Sequence, residues 1–466
     1  MKKFSIVYGC ARGSVQRKAI EVLSELLLDY THSYPSCYKV GEVIPEGNTP
    51  IYIGTAADNP YIAALNNPPL TCSEEYRIQV KEERIYIEGA DDRGLLYGCV
   101  DLFNRYILPL EYPHNTVTYV VDPFEKPLPD YSFTSRPSVK NRGIWTWGHV
   151  IYDYKAFLDN MVKLKLNTVT IWNEYAPLNA QDIVDYAHSC GIKVIWGYSW
   201  GWVDGCNNIK SLDELAAFED GIVAKYEKEY KNLGGDGIYF QSVTEVGYDK
   251  IGDKTIAEAV TDLVNRAAAR IFEMTPDLEL QFGLHATSVK NRLEVIKQVD
   301  PRIRIVWENC GAFPFCYTPC NIKDFDNTVD FVKTVATLRG EGERFGAVTK
   351  GLVKLDWSRF EYADGPYAIG VASKAMKADR VRAKAKVWKY IQAYWLSYAD
   401  KAQEMVRVMA EAKKGDLYVT PLIEDGMFEE NIMFPAALMC ELLWDPNTDI
   451  KELMPQVALR SYIDFA

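Results

Sequence analysis

Residues 234–247 read Gly234-Gly235-Asp236-Gly237-Ile238-Tyr239-Phe240-Gln241-Ser242-Val243-Thr244-Glu245-Val246-Gly247, and the fold turns on them. A Gly-Gly turn leads into a short β-prone run, Ile238-Tyr239-Phe240. That run breaks into polar residues and delivers a carboxylate, Glu245, two residues before another glycine. Parallel strands buried on both faces read as continuous apolar runs, and reactive side chains sit at or just past their carboxyl ends. Alone, Glu245 reads equally well as a solvated loop acid or as the first-turn carboxylate of the next helix. The same pattern recurs at the ends of neighbouring runs, and recurrence favours chemistry.

From Lys140 onward the chain repeats apolar run, polar end, helix. Arg142 to Trp147 precedes a helix near 153–165, Thr168 to Trp172 one near 179–190, and Lys193 to Tyr198 one near 211–232. The run 237–241 precedes a helix at 255–274, Glu279 to Phe282 one at 288–298, and Arg304 to Trp307 one at 323–338. Gly351 to Leu355 precedes a long helical region at 375–413, and Leu417 to Leu422 supplies an eighth run before a helix at 433–443. Eight strand–helix repeats in about 310 residues predict an α/β fold, a closed (β/α)8 TIM barrel. No Gly-rich phosphate loop follows the first strand, which counts against a doubly wound open sheet.

Before the barrel the periods differ. Residues 3–8 read as a strand and 14–31 as an amphipathic helix; residues 50–54 give another strand, 76–80 with 84–89 a hairpin, and 92–106 a closing helix. This predicts a small α+β domain over 1–121, a proline-rich linker over 122–137 and the barrel over 138–466.

The 466 residues exceed what one core usually organises, in keeping with two domains. A net charge of −12 argues against nucleic acid or an anionic membrane as partner. The short apolar run after Met1-Lys2-Lys3 is no convincing signal peptide, and no run of about 18 apolar residues exists to cross a bilayer, so a cytoplasmic protein is expected. The ten cysteines form no C-x-x-C pair, and no histidine lies near Cys310, Cys316 and Cys320 to complete a zinc set. Reduced thiols, and no cofactor or metal, are therefore expected.

The predicted strand ends carry Trp147 and His149, Asn173 and Glu174, Tyr198 and Trp200, Thr244 and Glu245, His285, Trp307 with Glu308 and Asn309, Asp356 and Trp357, and Glu424 with Asp425. Five of these eight ends hold an acid, and acids crowded without cations acquire separated pKa values, as a general acid and its partner carboxylate need. Glu245, Glu308 and Asp356 are the catalytic candidates, each with an aromatic or amide neighbour. Glu308 has a plainer reading as the partner of Arg304 or Arg302, Asp356 as that of Lys354 or Arg359, and Glu174 as a helix cap after Pro177. Indoles beside Asn, Asp and Glu suit a sugar, whose C–H faces stack on aromatic planes while its hydroxyls need polar partners. Trp147, Asn173, Glu174, Tyr198, Trp200, His285, Trp307, Asn309 and Trp357 are the expected substrate contacts.

The run Gly89-Ala90-Asp91-Asp92-Arg93-Gly94-Leu95-Leu96-Tyr97-Gly98 resembles the N-terminal domain shared by family 20 hexosaminidases and family 67 α-glucuronidases. Arg136-Pro137 through Arg142-Gly143, and Met161 through Thr168, are similar to the start of the family 20 barrel. The resemblance implies an exo-acting glycoside hydrolase with its acid after the fourth strand, the role Glu245 takes by position. In family 20 an Asp precedes that acid and holds the substrate acetamido group; here Thr244 stands there. A family 67 likeness would place Glu245 with Glu308 or Asp356, and leaves Arg142 or Arg359 for a uronate carboxylate.

Two other classes fit the same residues. Glu174, Glu245, His285, Glu308 and Asp356 would suit a hard divalent ion in a sugar isomerase or epimerase. The Thr before Glu245 would suit a sugar-binding protein derived from a hydrolase. The expected partner is a small carbohydrate, with no nucleic acid and no membrane, and with homo-oligomers the one protein partner considered.

Overall fold

A computed structural model of the protein describes residues 3–9, 13–111, 127–201, 209–243, 248–285, 290–309, 311–315, 324–340, 343–352, 363, 365–413, 416–423 and 428–465. Eight parallel strands close a ring. In order they are Asn141–Trp147, Thr168–Trp172, Lys193–Gly197, Gly237–Phe240, Glu279–His285, Arg304–Glu308, Phe345–Val348 and Leu417–Val419, the last resuming at Leu422–Ile423. Closure pairs Tyr418 with Asn141 and Leu422 with Trp145. The eighth strand is split at Pro421, which has no N–H to donate to a ladder, although its carbonyl still accepts from Trp145 N at 3.0 Å.

Seven of the eight runs fall where the sequence puts them. The seventh strand is Phe345–Val348, ahead of the expected Gly351 to Leu355. Its four residues include Gly346, where a Cβ would press on Tyr418 Cβ at 3.1 Å and Arg304 Cδ at 3.3 Å, so close packing is bought with a residue that weakens the β signal. The expected helix at 288–298 shrinks to a 3-10 turn, Lys290–Arg292, and one α-turn, Leu293–Ile296.

Period-two alternation sorts the strands into two faces. Ile144, Val169, Ile171, Val194, Trp196, Ile238, Phe240, Phe282, Ile305, Trp307 and Phe345 join the large core under the helices. Trp145, Trp172, Ile195, Tyr239, Val306, Val348 and Leu422 form a second cluster inside the ring. The covering helices are amphipathic, as in Ile256–Met274, which opens on a Thr255/Glu258 capping box. Phe434–Trp444 is buried all round, as a helix without a polar face must be.

The N-terminal unit is a six-stranded sheet in the order 36–39, 3–8, 48–54, 84–89, 76–81, 131–135, with helices Ser14–Thr31 and Asp92–Asp101 among its covering elements. Tyr131–Ser135, within the stretch read as linker, is an edge strand antiparallel to Tyr76–Val80. The unit meets the barrel through buried charges. Lys165 lies 2.9 Å from Asp101 and 3.3 Å from Glu441, Arg460 reaches Glu441 at 2.9 Å, and Arg142 reaches Glu74 at 2.6 Å. The described cysteines 37, 72, 99, 190 and 440 are free thiols, and none of the described helices is long and apolar enough to cross a membrane.

Candidate active site

The C-terminal mouth of the ring is aromatic. The Trp145 ring stands edge-on to Trp147 at 5.1 Å and to Tyr239 at 5.7 Å, and Trp172 packs edge-on to Trp147 at 6.0 Å and to Tyr239 at 6.1 Å. Trp147 is the partly exposed member. The Trp145 indole N–H is buried and meets no acceptor among the described residues.

Glu308 ends the sixth strand on the inner face, two residues past Val306, and is 5% exposed. The Tyr239 hydroxyl donates to its Oε1, and Gln241 Nε2 donates to the same oxygen at 2.6 Å. Both donors come from the fourth strand and its extension, so they reach across the fifth strand, and the residue in between is Gly283. A Cβ there would collide with the Tyr239 hydroxyl and Glu308 Oε1. A glycine inside a strand marks such a close approach. Oε2 of Glu308 makes no hydrogen bond or ion pair within the described residues. The plainer reading of Glu308 fails on geometry, because Arg304 sits at the opposite end of the strand with Glu279 (2.6 Å) and Asp416 (3.1 Å), and Arg302 pairs with Asp300.

Glu174 follows the second strand. Its Oε1 accepts from Trp172 Nε1 at 3.0 Å and its Oε2 from Ser199 N at 3.4 Å, with Lys225 at 3.7 Å. Burial raises its pKa above the ordinary carboxylate range, against the pull of Lys225. It does not cap the following helix, whose N-cap is Asn179. His149, on the 3-10 turn after the first strand, has its imidazole pKa pushed down by burial to about 4 and lies 6.0 Å from the Trp147 ring. Glu429, past the eighth strand, accepts from Tyr152 N (2.5 Å) and Asp153 N (3.2 Å) through Oε1, while Oε2 has no partner among the described residues. Burial raises its pKa to about 7.

Of the catalytic candidates, Glu308 stands in the mouth, and Glu245 and Asp356 lie outside the described residues, as do Trp357, Glu424 and Asp425. Among the expected substrate contacts, Trp147 and Glu174 are at the mouth. His285 occupies the register position beside Glu308. Three others are corrected. Tyr198 stacks on Tyr230 at 4.5 Å, Trp200 stacks on Phe240 at 3.8 Å, and Trp307 is 2% exposed; all three belong to the core under the helices. Parity explains Trp307: its neighbour Glu308 points inward, so it points outward.

Asn173 and Asn309 brace loops. Asn173 Oδ1 accepts from the Tyr367 hydroxyl at 2.5 Å, and Asn309 bridges Ala312 O (3.1 Å) and Lys350 N (2.9 Å). Arg142, a candidate for a uronate, is fully buried against Glu74 and backbone carbonyls, away from the mouth. Sequence reasoning missed Tyr239, Gln241, Gly283 and Trp145 as site residues; only Gly283 carries a signal, as a glycine within an apolar strand. Among the described residues no three His, Cys, Asp or Glu side chains come together as a metal set.

Against solved structures the chain superposes on carbohydrate-active barrels along almost its whole length. A mutant Streptomyces plicatus β-hexosaminidase in complex with its product GlcNAc matches with a TM-score of 0.55 at 12% identity, over 98% of this chain and 89% of that one. A GH138 enzyme targeting pectin rhamnogalacturonan II gives 0.54 at 12%, over 97% and 52%, so this chain spans about half of its length. The Bacteroides fragilis β-N-acetylhexosaminidase gives 0.50 at 14%, over 96% and 88%. The likeness is one of fold, shared with these solved enzymes. No family model and no curated protein matches the sequence. The N-terminal α+β unit followed by the barrel is thus a shared architecture carried on a divergent sequence.

Proposed function

We propose that the protein is an exo-acting glycoside hydrolase cleaving a terminal hexosaminide, uronide or hexoside, with Glu308 as one of its two carboxylates and Glu245 as the general acid. The observation that carries this reading is the setting of Glu308. It ends a barrel strand at the aromatic mouth and, among the described residues, has no cation beside it and is held through one oxygen only. A carboxylate fixed at Oε1 keeps Oε2 for a water or an anomeric carbon, the two targets of the second carboxylate in inverting and retaining hydrolysis. Trp147, the partly exposed ring of the cluster, supplies an apolar face for a sugar, with buried Trp145 and Trp172 packed behind it. Glu245 takes the acid role from its place in the sequence, four residues after Gln241, and the family resemblance puts the acid there.

The test is a screen of aryl α- and β-glycosides, uronides and N-acetylhexosaminides with the wild type, Glu308→Gln and Glu245→Gln. Each variant is expected to lose about 10²- to 10⁴-fold in kcat. Glu245→Gln should lose least on substrates whose leaving groups need little protonation, and chelator should leave the wild type unaffected. If no glycoside is cleaved, or Glu308→Gln matches the wild type, the reading is wrong.

A further inference from the structure

The 39-residue helix Lys374–Ala412 carries an unusual charge for this chain. Residues 374–389 hold seven lysines and arginines against the single acid Asp379, in a protein of net charge −12. The helix is broken by non-helical backbone at Tyr398, and its first half lies along the rim of the C-terminal mouth. At one end Ala372 N bonds Tyr152 O at 2.9 Å, and Lys377 pairs with Asp153 and Glu430, residues that follow the first and eighth strands. At the other end the Tyr394 hydroxyl bonds Pro314 O and the Trp395 indole bonds Gly351 O, both at 2.8 Å, past the sixth and seventh strands.

The inward side is fixed by buried Trp388, Ile391 and Trp395. The outward side presents Arg382, which is paired with Asp379, then Lys386, Lys389 and Tyr390. Lys386 and Lys389 are exposed and make no ion pair within the described residues. Lys386 and Tyr390 are four apart, so the ammonium group and the phenol ring share one helix face. Tyr390 is 48% exposed, and Lys374, also exposed and without an ion pair among the described residues, lies about 24 Å back along the axis.

An aromatic platform beside ammonium groups that make no ion pair among the described residues has the chemistry to hold an acidic sugar. The ring accepts the C–H face, the lysines meet the carboxylate, and repetition along the helix suits a chain rather than a single residue. A membrane is a poorer occupant because the outward face is alanine and charge with few large apolar groups, and nucleic acid would meet a chain otherwise strongly acidic. We infer that the rim segment Lys374–Lys389 with Tyr390 is a binding ridge for a carboxylate-bearing polysaccharide whose end enters the barrel mouth. This rests on the hydrolase reading for the mouth, while the ridge itself is tested by binding.

The test is affinity electrophoresis of the full chain in gels holding de-esterified polygalacturonate, its methyl-esterified form, or dextran. The wild type is expected to be retarded by the acidic polymer alone, less so as salt shortens the screening length. The double charge reversal K386E/K389E should weaken binding about tenfold. Tyr390→Ala should weaken it about threefold with the salt dependence unchanged. Both variants should hydrolyse a small aryl glycoside as the wild type does. Equal retardation by the esterified polymer, wild-type retardation of K386E/K389E, or binding only to anionic vesicles or RNA overturns the ridge. Retention without cleavage of any glycoside would remove the hydrolase reading and leave the ridge; cleavage by an unretarded wild type would remove the ridge alone.

Discussion

The two ends of the barrel handle charge in opposite ways. At the N-terminal end a polar cavity of about 400 Å³ is lined by Lys193, Asp236, Glu279, Arg304, Arg344 and Asp416 among others. Its charges answer one another: Arg304 takes Glu279 and Asp416, Arg344 also takes Glu279 at 3.3 Å, and Asp236 takes His188 at 2.9 Å. At the C-terminal end Asp153 and Glu430 share Lys377, but the three glutamates at or behind the mouth are held chiefly by neutral donors. Glu308 has a phenol and an amide, Glu429 two backbone N–H groups, and Glu174 an indole and a backbone N–H with Lys225 only at 3.7 Å. Paired charges stabilise a structure once it is folded, whereas acids placed among neutral donors keep their reactivity for an incoming molecule. The difference separates an end that holds the ring shut from an end fit for chemistry.

Replacing Arg304 by Met tests the first half of that contrast and should have the largest effect on stability. It strips Glu279 and Asp416 of a buried cation and leaves Phe345 O and Asp416 O without their donor. A loss of about 3 kcal/mol in denaturant unfolding is expected. Turnover per folded molecule should be unchanged, and a fall in kcat at full folding would show that the two ends are not independent.

Tyr239→Phe tests the second half. Losing one hydrogen bond to the Glu308 carboxylate is worth about 1.5–3 kcal/mol, or roughly 10- to 100-fold in kcat. The melting temperature should move little. A variant that loses stability and keeps its rate would make Tyr239 a packing residue.

Glu429→Gln sharpens the contrast through pH. The folded pKa of Glu429, about 7, lies above its ordinary 4.5, so between those values the folded state holds the extra proton. Stability from this group is therefore present at low pH and lost as pH rises from about 4.5 to about 7, on the order of 1 to 3 kcal/mol. His149 works the other way, because its depressed pKa makes the unfolded state the better proton binder between about 4 and 6.5. Removing the Glu429 carboxyl should leave the His149 slope, with stability rising across that window. A profile identical to the wild type would place the proton elsewhere.

Much of this architecture was legible because eight apolar runs in the right rhythm leave few folds to choose from. The site was less legible because each side chain's face depends on parity, and one residue of register reverses it. Trp145, Trp147 and Trp172 point into the ring while Trp196, Trp200 and Trp307 point out, yet all six sit in similar local sequence. Trp307 and Glu308 are adjacent, so both could never line one hollow. The short seventh strand was misplaced because Gly346 dilutes its signal, and the holders of Glu308 come from a strand that is not its sequence neighbour.

The charges buried between the N-terminal sheet and the barrel bear on how such a protein can be inherited. Lys165 and Arg142 belong to the barrel, their counter-ions Asp101 and Glu74 to the other unit, and Glu441 and Arg460 to the last helices and their surroundings. A foreign N-terminal unit lacking both acids would leave Arg142 without its carboxylate in a dry interface and Lys165 with Glu441 alone. Swapping the unit at that junction therefore calls for matching replacements on both of its sides.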